Sequence, residues 1–324
     1  MTQAADRSSA EPPRVASPDR LGGQRKARRT LAKPRVRRVT FVGWLFVLPA
    51  LAMYAVFVLQ PLLLTVQYSF YRWDGVGPSA WVGLTNYQTV LTDPVLTETL
   101  FNAFRLIFFF SVLPVAAGLI VASIIRRSAT GLLGAAAKTV LFLPQVIPLV
   151  AAGIVWNWVL SLTGVFNQTL TALGAGGITR AWLGDFDFAL PAVGLIGFWV
   201  LLGLCTVLLF TGMGKIDPGL YEAARIDGAS AVNEFFAITV PSLRNEIVVC
   251  LTVTMIAALA SFDVVYISTG GGPGRATMVP GLQIYTLAFF GRQIGVASAL
   301  AVVLVVIVLL VIFPLQRLNR GSDT

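Results

Sequence analysis

The 324-residue chain contains no histidine and only two cysteines. The absence of imidazole side chains excludes histidine-ligated metal sites and nucleophilic catalysis that depends on a histidine base. Cys205 and Cys250 both lie in apolar segments, where a small buried hydrophobe is a better interpretation than a disulfide, a metal pair or a redox centre.

Charged residues are also scarce, at 12% of the chain against 56% hydrophobic residues. A soluble domain could not bury so much apolar surface, so the composition predicts an all-α integral membrane protein of several spans. Six windows without charge reach or approach the roughly 20 residues that cross a bilayer. We therefore expect six transmembrane helices within residues 41–318, at about 41–66, 100–125, 136–160, 189–213, 247–267 and 296–315.

The net charge of +9 comes largely from one end of the chain, because eleven of the 24 Lys and Arg lie between Arg7 and Arg38. Residues 1–40 are otherwise rich in Pro, Ser and Ala, which predicts a disordered basic tail that contacts anionic lipid rather than nucleic acid. The basic residues between the predicted spans fall mostly on the same side as this tail. The positive-inside rule then places both termini, including residues 319–324, in the cytoplasm.

A phosphate-binding loop is also missing from the chain. The nearest approach, Gly212 to Ile216, lacks the preceding Gly at the required spacing and the following Ser or Thr. We therefore expect a non-catalytic chain without a cofactor of its own.

A polar segment at residues 217–241 interrupts the apolar windows. Asp217 followed by Pro218 predicts a helix start, because the carboxylate can accept from free amides and Pro at the first position loses no hydrogen bond. Gly228 predicts a turn, Ser230 a second N-cap, and Pro241 the end of the second helix, since the residue before Pro is pushed out of helical angles. The expected product is two short helices joined at a Gly elbow.

The spacing of Glu222-Ala223-Ala224, Gly228 and Ile238-Thr239-Val240-Pro241 resembles the EAA loop of permease subunits in ATP-binding-cassette importers. The family usually has Leu where Val240 stands. The resemblance implies a coupling helix that docks into a groove of the ATPase, and the alternative is an ordinary amphipathic surface hairpin. The residues implied for coupling are Glu222, Ala223, Ala224, Gly228, Ile238 and Pro241.

A second run narrows the resemblance. Residues 262–273, FDVVYISTGGGP, resemble a pattern of carbohydrate permeases of the MalF/UgpA type, and residues 81–87, WVGLTNY, resemble another. The resemblance implies the type I ABC importer (MetI-like) permease fold in a bacterial cell membrane. It also implies a second permease subunit as heterodimer partner, two separate ATPase subunits that bind ATP and Mg, and an extracellular solute-binding protein.

Polar side chains within the predicted spans are candidates for the solute path. Asp263 lies about 24 Å along a helix counted from Ile247, which would place it near the outer interface. A gate or solute contact and plain interfacial solvation both remain open for this residue. The candidate contacts are Asn102, Gln145, Asn157, Ser261, Asp263 and Tyr266.

The expected function is the transmembrane subunit of an ATP-driven sugar importer. Two alternatives remain. One is an importer for glycerol 3-phosphate or another polyol derivative. The other is an ion-coupled secondary transporter, which would need acidic residues at mid-membrane, and only Asp263 comes close.

Overall fold

The computed structural model describes residues 36–128 and 131–319, most of them helical. Four π-helical segments and one 3-10 turn lie between or within the α-helices. The α-helices are α1 (Val36–Tyr54), α2 (Gln60–Tyr68), α3 (Thr85–Thr92), α4 (Pro94–Ile107), α5 (Leu113–Ser128), α6 (Leu132–Val146), α7 (Leu149–Val159), α8 (Val165–Ala172), α9 (Ala189–Met213), α10 (Pro218–Ile226), α11 (Ala231–Glu234), α12 (Val240–Ser242), α13 (Arg244–Leu259), α14 (Asp263–Ser268), α15 (Pro280–Tyr285) and α16 (Ile294–Asn319). Two of the π segments are Phe108–Val112, between α4 and α5, and Phe235–Thr239, between α11 and α12.

The chain divides into two compact units, one ending at Tyr54 and one beginning at Ala55. In the first, α1 begins at Val36, so residues 36–40 are helical although the sequence predicted them as part of the tail. This stretch has no Gly or Pro to oppose a helix and follows Pro34 closely. Residues 1–35 of the predicted tail and 320–324 of the predicted C-terminus lie outside the described residues.

Within residues 36–128 and 131–319, four helices are long and apolar enough to cross a membrane, or up to six if each of two bent pairs is one span. The uninterrupted candidates are Trp44–Tyr68, Pro94–Arg127, Ala189–Met213 and Ile294–Arg317. The fourth predicted span, 189–213, has the same limits as α9. The expected all-α membrane fold is confirmed, and the count of six holds when the bent pairs are counted as single spans.

The third predicted span is broken in the middle. α6 and α7 meet at an angle of 99° across Ile147 and Pro148. Ile147 is extended, with φ −76° and ψ 126°, because the ring of Pro148 excludes the helical region for the residue before it. Pro148 therefore interrupts the third predicted span completely.

The fifth predicted span, 247–267, is divided between two helices. α13 begins earlier, at Arg244, after a bend of 72° from the stretch 231–242. It ends at Leu259, and the backbone leaves the helix at residues 260–262 before α14 starts at Asp263. The distance counted along a continuous helix from Ile247 to Asp263 therefore does not apply.

α9 is the central helix of the second unit and packs against α5, α6, α7 and α13. Glycines permit the close approaches: Gly118 of α5 lies against Cys205 of α9, and Gly203 of α9 lies against the Leu141 carbonyl of α6. A side chain at Gly203 would collide with backbone and one at Gly118 would be tightly packed, so the helix spacing depends on both glycines. The buried core around α9 includes Leu106, Ile196 and Val264.

A short hairpin follows α2. Strands β1 (Tyr71–Arg72) and β2 (Ala80–Trp81) pair antiparallel, with Tyr71 opposite Trp81. The buried Asn86 donates through Nδ2 to the carbonyls of Ser69, at 2.8 Å, and Tyr71, at 2.9 Å. Asn86 of the WVGLTNY run therefore holds the end of α2 and strand β1 against the first turn of α3.

Candidate functional site

The hairpin formed by residues 217–241 folds from local signals, as expected. The Asp217 carboxylate accepts from the Gly219 amide at 2.9 Å, and the Ser230 hydroxyl accepts from the Asn233 amide at 3.2 Å. Between them Gly228 has φ +77°, in the left-handed region that side chains disfavour. These three predictions about the hairpin are confirmed.

The predicted end of the second helix at Pro241 was wrong. Val240 keeps helical angles, with φ −63° and ψ −47°, and the helix continues through Ser242. The π segment Phe235–Thr239 precedes α12, so Pro241 lies in the first turn of a new α-helical segment, where its missing N–H costs little.

One buried carboxylate holds the hairpin to the end of α5. Glu234 is 3% exposed and forms ion pairs with Arg127 of α5 and, at 3.2 Å, with Arg225 of α10. The Tyr221 hydroxyl adds a hydrogen bond to Thr239 Oγ1 at 3.0 Å. The two helices of the hairpin are thereby joined to each other and to a long apolar helix.

The other side of the hairpin is uncovered. Leu220 is 51% exposed and Ile226 86% exposed, and Glu222 and Ala223 are exposed beside them. An apolar patch next to a free carboxylate, on a helix held firmly from behind, is suited to docking with a partner. Of the predicted coupling residues, the structure exposes Glu222, Ala223, Gly228 and Pro241 and partly buries Ala224 and Ile238.

Sequence reasoning missed two residues of this site. Ile226 was not singled out, although its position before the Asp-Gly turn leaves it uncovered. Glu234 was not singled out, because nothing local distinguishes it from a solvated helix charge. Its main partner, Arg127, is 107 residues away in the chain.

A second candidate site is a cavity of 480 Å³ where the helices are interrupted. Gln145 reaches it from the end of α6, and Ser261 and Asp263 reach it from the break between α13 and α14. Interrupted helices at membrane depth expose polar groups toward a cavity rather than toward lipid. Three of the six predicted solute contacts therefore come together.

Two polar atoms at this cavity lack a partner among the described residues. They are Gln145 Oε1 and Ser261 Oγ, and Ser261 is only 6% exposed. A buried polar atom without a hydrogen bond costs about 1–3 kcal/mol, so a bound solute or water that satisfies both would be favoured. Asp263 is exposed at the same cavity and forms no ion pair within the described residues.

The other three predicted contacts do not line this cavity. Asn102 is fully buried and donates to the carbonyls of Ala276 and Met278, at 3.2 and 3.0 Å, which ties α4 to the loop after α14. Asn157 donates to the Ile267 carbonyl at 3.1 Å. Tyr266 stacks on Phe262, with ring centroids 5.3 Å apart. All three have structural contacts in place.

No group of three His, Cys, Asp or Glu side chains within residues 36–128 and 131–319 could hold a metal ion. Within the described residues, two candidate sites therefore combine several of the predicted residues. They are the exposed face of the hairpin and the cavity at the helix breaks.

The family model described as "Binding-protein-dependent transport system inner membrane component" matches residues 114–323. The chain belongs to this family. It is therefore a transport permease subunit and a membrane protein, and its fold is that of ABC importer permeases.

The chain is similar to "Probable ABC transporter permease protein YurN" of Bacillus subtilis, with 35% identity over 85% of this chain and 94% of that protein. It is 31% identical to "Diacetylchitobiose uptake system permease protein NgcF" of Streptomyces coelicolor, over 90% of this chain and 88% of that one. Its fold resembles a chain of a bacterial ABC transporter involved in the import of the acidic polysaccharide alginate. That match has a TM-score of 0.76 at 20% identity and covers 89% of this chain and 98% of the other.

Proposed function

We propose that this chain is the translocation subunit of an ATP-driven sugar importer, coupled to a separate ATPase through residues 217–241. The observation that carries the proposal is the two-sided hairpin, with an apolar face open to a partner and a buried carboxylate joining its other face to α5. A force applied to the open face is passed to the long helix Pro94–Arg127.

The cavity favours a neutral, hydroxyl-rich solute. Its polar groups are an amide, a hydroxyl and the Asp263 carboxylate, and none of the described residues lining it is basic. Such groups can hydrogen-bond sugar hydroxyls, while the partly buried Phe262 supplies an aromatic face. A phosphate or another anion would meet a carboxylate without a compensating cation. Glycerol 3-phosphate is therefore the weaker alternative, and the diacetylchitobiose named for one relative supports a saccharide.

The assembly follows from the family and from the resemblance of the motifs. A binding-protein-dependent system needs an extracellular solute-binding protein, and the hairpin needs an ATPase. We place a second permease subunit beside this chain and two ATPase subunits beneath the pair. Arg126, Arg127, Lys215 and Arg225 lie at the hairpin end of the molecule, which supports a cytoplasmic hairpin with both termini on the same side.

The test is isolation of the chain with the subunits that co-purify from its own membranes, followed by reconstitution into liposomes with the co-purified binding protein. We expect uptake of a labelled neutral saccharide that requires ATP on the hairpin side and stops when ATP is omitted. Competition by an excess of glycerol 3-phosphate, but not of neutral sugars, would instead support the polyol phosphate alternative.

A second preparation, with the chain alone, tests the alternative that the protein is an ion-coupled secondary transporter. Liposomes that contain the chain alone, under a proton or sodium gradient and without ATP, are expected to show no uptake. Uptake driven by the gradient would contradict the proposal.

A further inference from the structure

A polar cavity of 520 Å³ lies between the end of α5 and the inner side of the hairpin. Its lining includes Arg126, Arg127, Tyr221, Arg225 and Glu234. The cavity at the helix breaks shares no lining residue with this space, and of the exposed hairpin face only Glu222 borders it.

The cavity carries an excess of positive charge. Three guanidinium groups line it, against the carboxylates of Glu222 and Glu234. Glu234 is already engaged by Arg127 and Arg225. Arg126 lies over the Tyr221 ring at 4.0 Å, and its buried Nη1 has no hydrogen-bond partner among the described residues. A buried guanidinium nitrogen without an acceptor is an unfilled position for an anion.

An apolar groove of 370 Å³ continues from this cavity and shares Ser123, Arg127 and Thr239 with it. Ile124 and Phe236 are among the apolar residues that line the groove. The polar part lies where the apolar helix Pro94–Arg127 ends, which is the level at which lipid headgroups meet protein. A basic cavity that opens into an apolar groove at this level matches the headgroup and the acyl chain of a single lipid molecule.

We propose that the cavity binds the phosphate-bearing headgroup of an anionic phospholipid, with an acyl chain in the adjoining groove. The headgroup phosphate accepts a hydrogen bond from Arg126 Nη1 and lies beside Arg127 and Arg225. Basic pockets between helices bind the headgroups of anionic lipids in this way. Free phosphate shares the headgroup chemistry, and the groove selects the lipid. The lipid then packs between α5 and the hairpin and helps to hold the hairpin in place.

The test is native mass spectrometry of the purified chain in detergent, titrated with phosphatidylglycerol, phosphatidylcholine or inorganic phosphate. We expect one phosphatidylglycerol to be retained at concentrations where phosphatidylcholine and phosphate are not. Arg126→Gln is expected to weaken phosphatidylglycerol binding about tenfold, which corresponds to the loss of one charge-assisted hydrogen bond. Arg126→Lys is expected to restore part of it, which separates loss of charge from misfolding.

Arg317→Gln is the matched control. Arg317 also lies in the last turn of a long apolar helix and over an aromatic ring, that of Phe313 at 4.4 Å, but it lines neither space. Arg317→Gln is expected to bind phosphatidylglycerol as the unchanged chain does. Phe236→Ala is expected to weaken the binding of long-chain phosphatidylglycerol more than the binding of its dioctanoyl form. Equal binding of the two phospholipids, equal loss in both arginine variants, or phosphate binding as strongly as the lipid would overturn the proposal.

Discussion

Replacement of Glu234 by Gln tests whether the buried carboxylate joins the hairpin to the membrane helix. The substitution keeps the shape of the side chain and removes its charge. Two charge-assisted contacts are lost, to Arg127 and Arg225. Fully buried contacts of this kind are worth about 1.5–3 kcal/mol each.

The partner arginines reduce that figure, because their side chains are 38% and 60% exposed and water can replace the carboxylate. About 1 kcal/mol for each contact is the appropriate scale, or about 2 kcal/mol in total. At 1.4 kcal/mol for each factor of ten, the open hairpin becomes about 30-fold more populated.

Hydrogen exchange of the purified chain measures this directly. Amides of α10 and α11 are expected to exchange about 30-fold faster in Glu234→Gln, while those of α9 keep their protection. Glu222→Gln is the matched control, since Glu222 is exposed on the same hairpin and forms no ion pair within the described residues. Unchanged exchange in Glu234→Gln, or the same acceleration in both variants, would refute the reasoning.

Three further predictions concern the elbow, the cavity and the packing around α9. Gly228→Val is expected to abolish ATP-dependent uptake while membrane insertion stays normal, because a left-handed backbone costs a side chain about 1–2 kcal/mol and a β-branched side chain more. Gly228→Asn is expected to keep most of the uptake. Equal uptake by the two variants would contradict the role of Gly228 as an elbow. Asp263→Asn is expected to raise the KM for the sugar about tenfold with the ATPase rate unchanged, and an unaltered KM would favour plain solvation of this carboxylate. Gly203→Ala is expected to destabilise the protein by about 1–3 kcal/mol, seen as a lower Tm, because its Cβ would meet the Leu141 carbonyl. Gly177→Ala is the control, because its Cβ would meet nothing within 4 Å and its φ is not positive.

The hairpin was predictable because its signals are local. An Asp before Pro, a Gly at a left-handed turn and a Ser before a helix each act on the nearest few residues. The helix breaks were only partly predictable. The break between α6 and α7 was predictable from Pro148. The interruption at residues 260–262 was not, because this stretch contains no Pro or Gly.

The candidate cavity shows the same limit. The sequence supplied Gln145, Ser261 and Asp263 as polar residues within apolar windows, together with three others of the same kind. Only the tertiary packing separated the three that share a cavity from Asn102, Asn157 and Tyr266, which already have partners.

The sequence by itself determined the membrane setting and the geometry of the hairpin, because composition and short-range hydrogen bonding depend on adjacent residues. The tertiary structure alone decided that Glu234 meets Arg127, that Gln145 meets the break after Leu259, and that Arg126 Nη1 has no hydrogen-bond partner among the described residues. Those pairings depend on how distant helices pack, and helix packing is set by the shapes of whole faces rather than by any local motif.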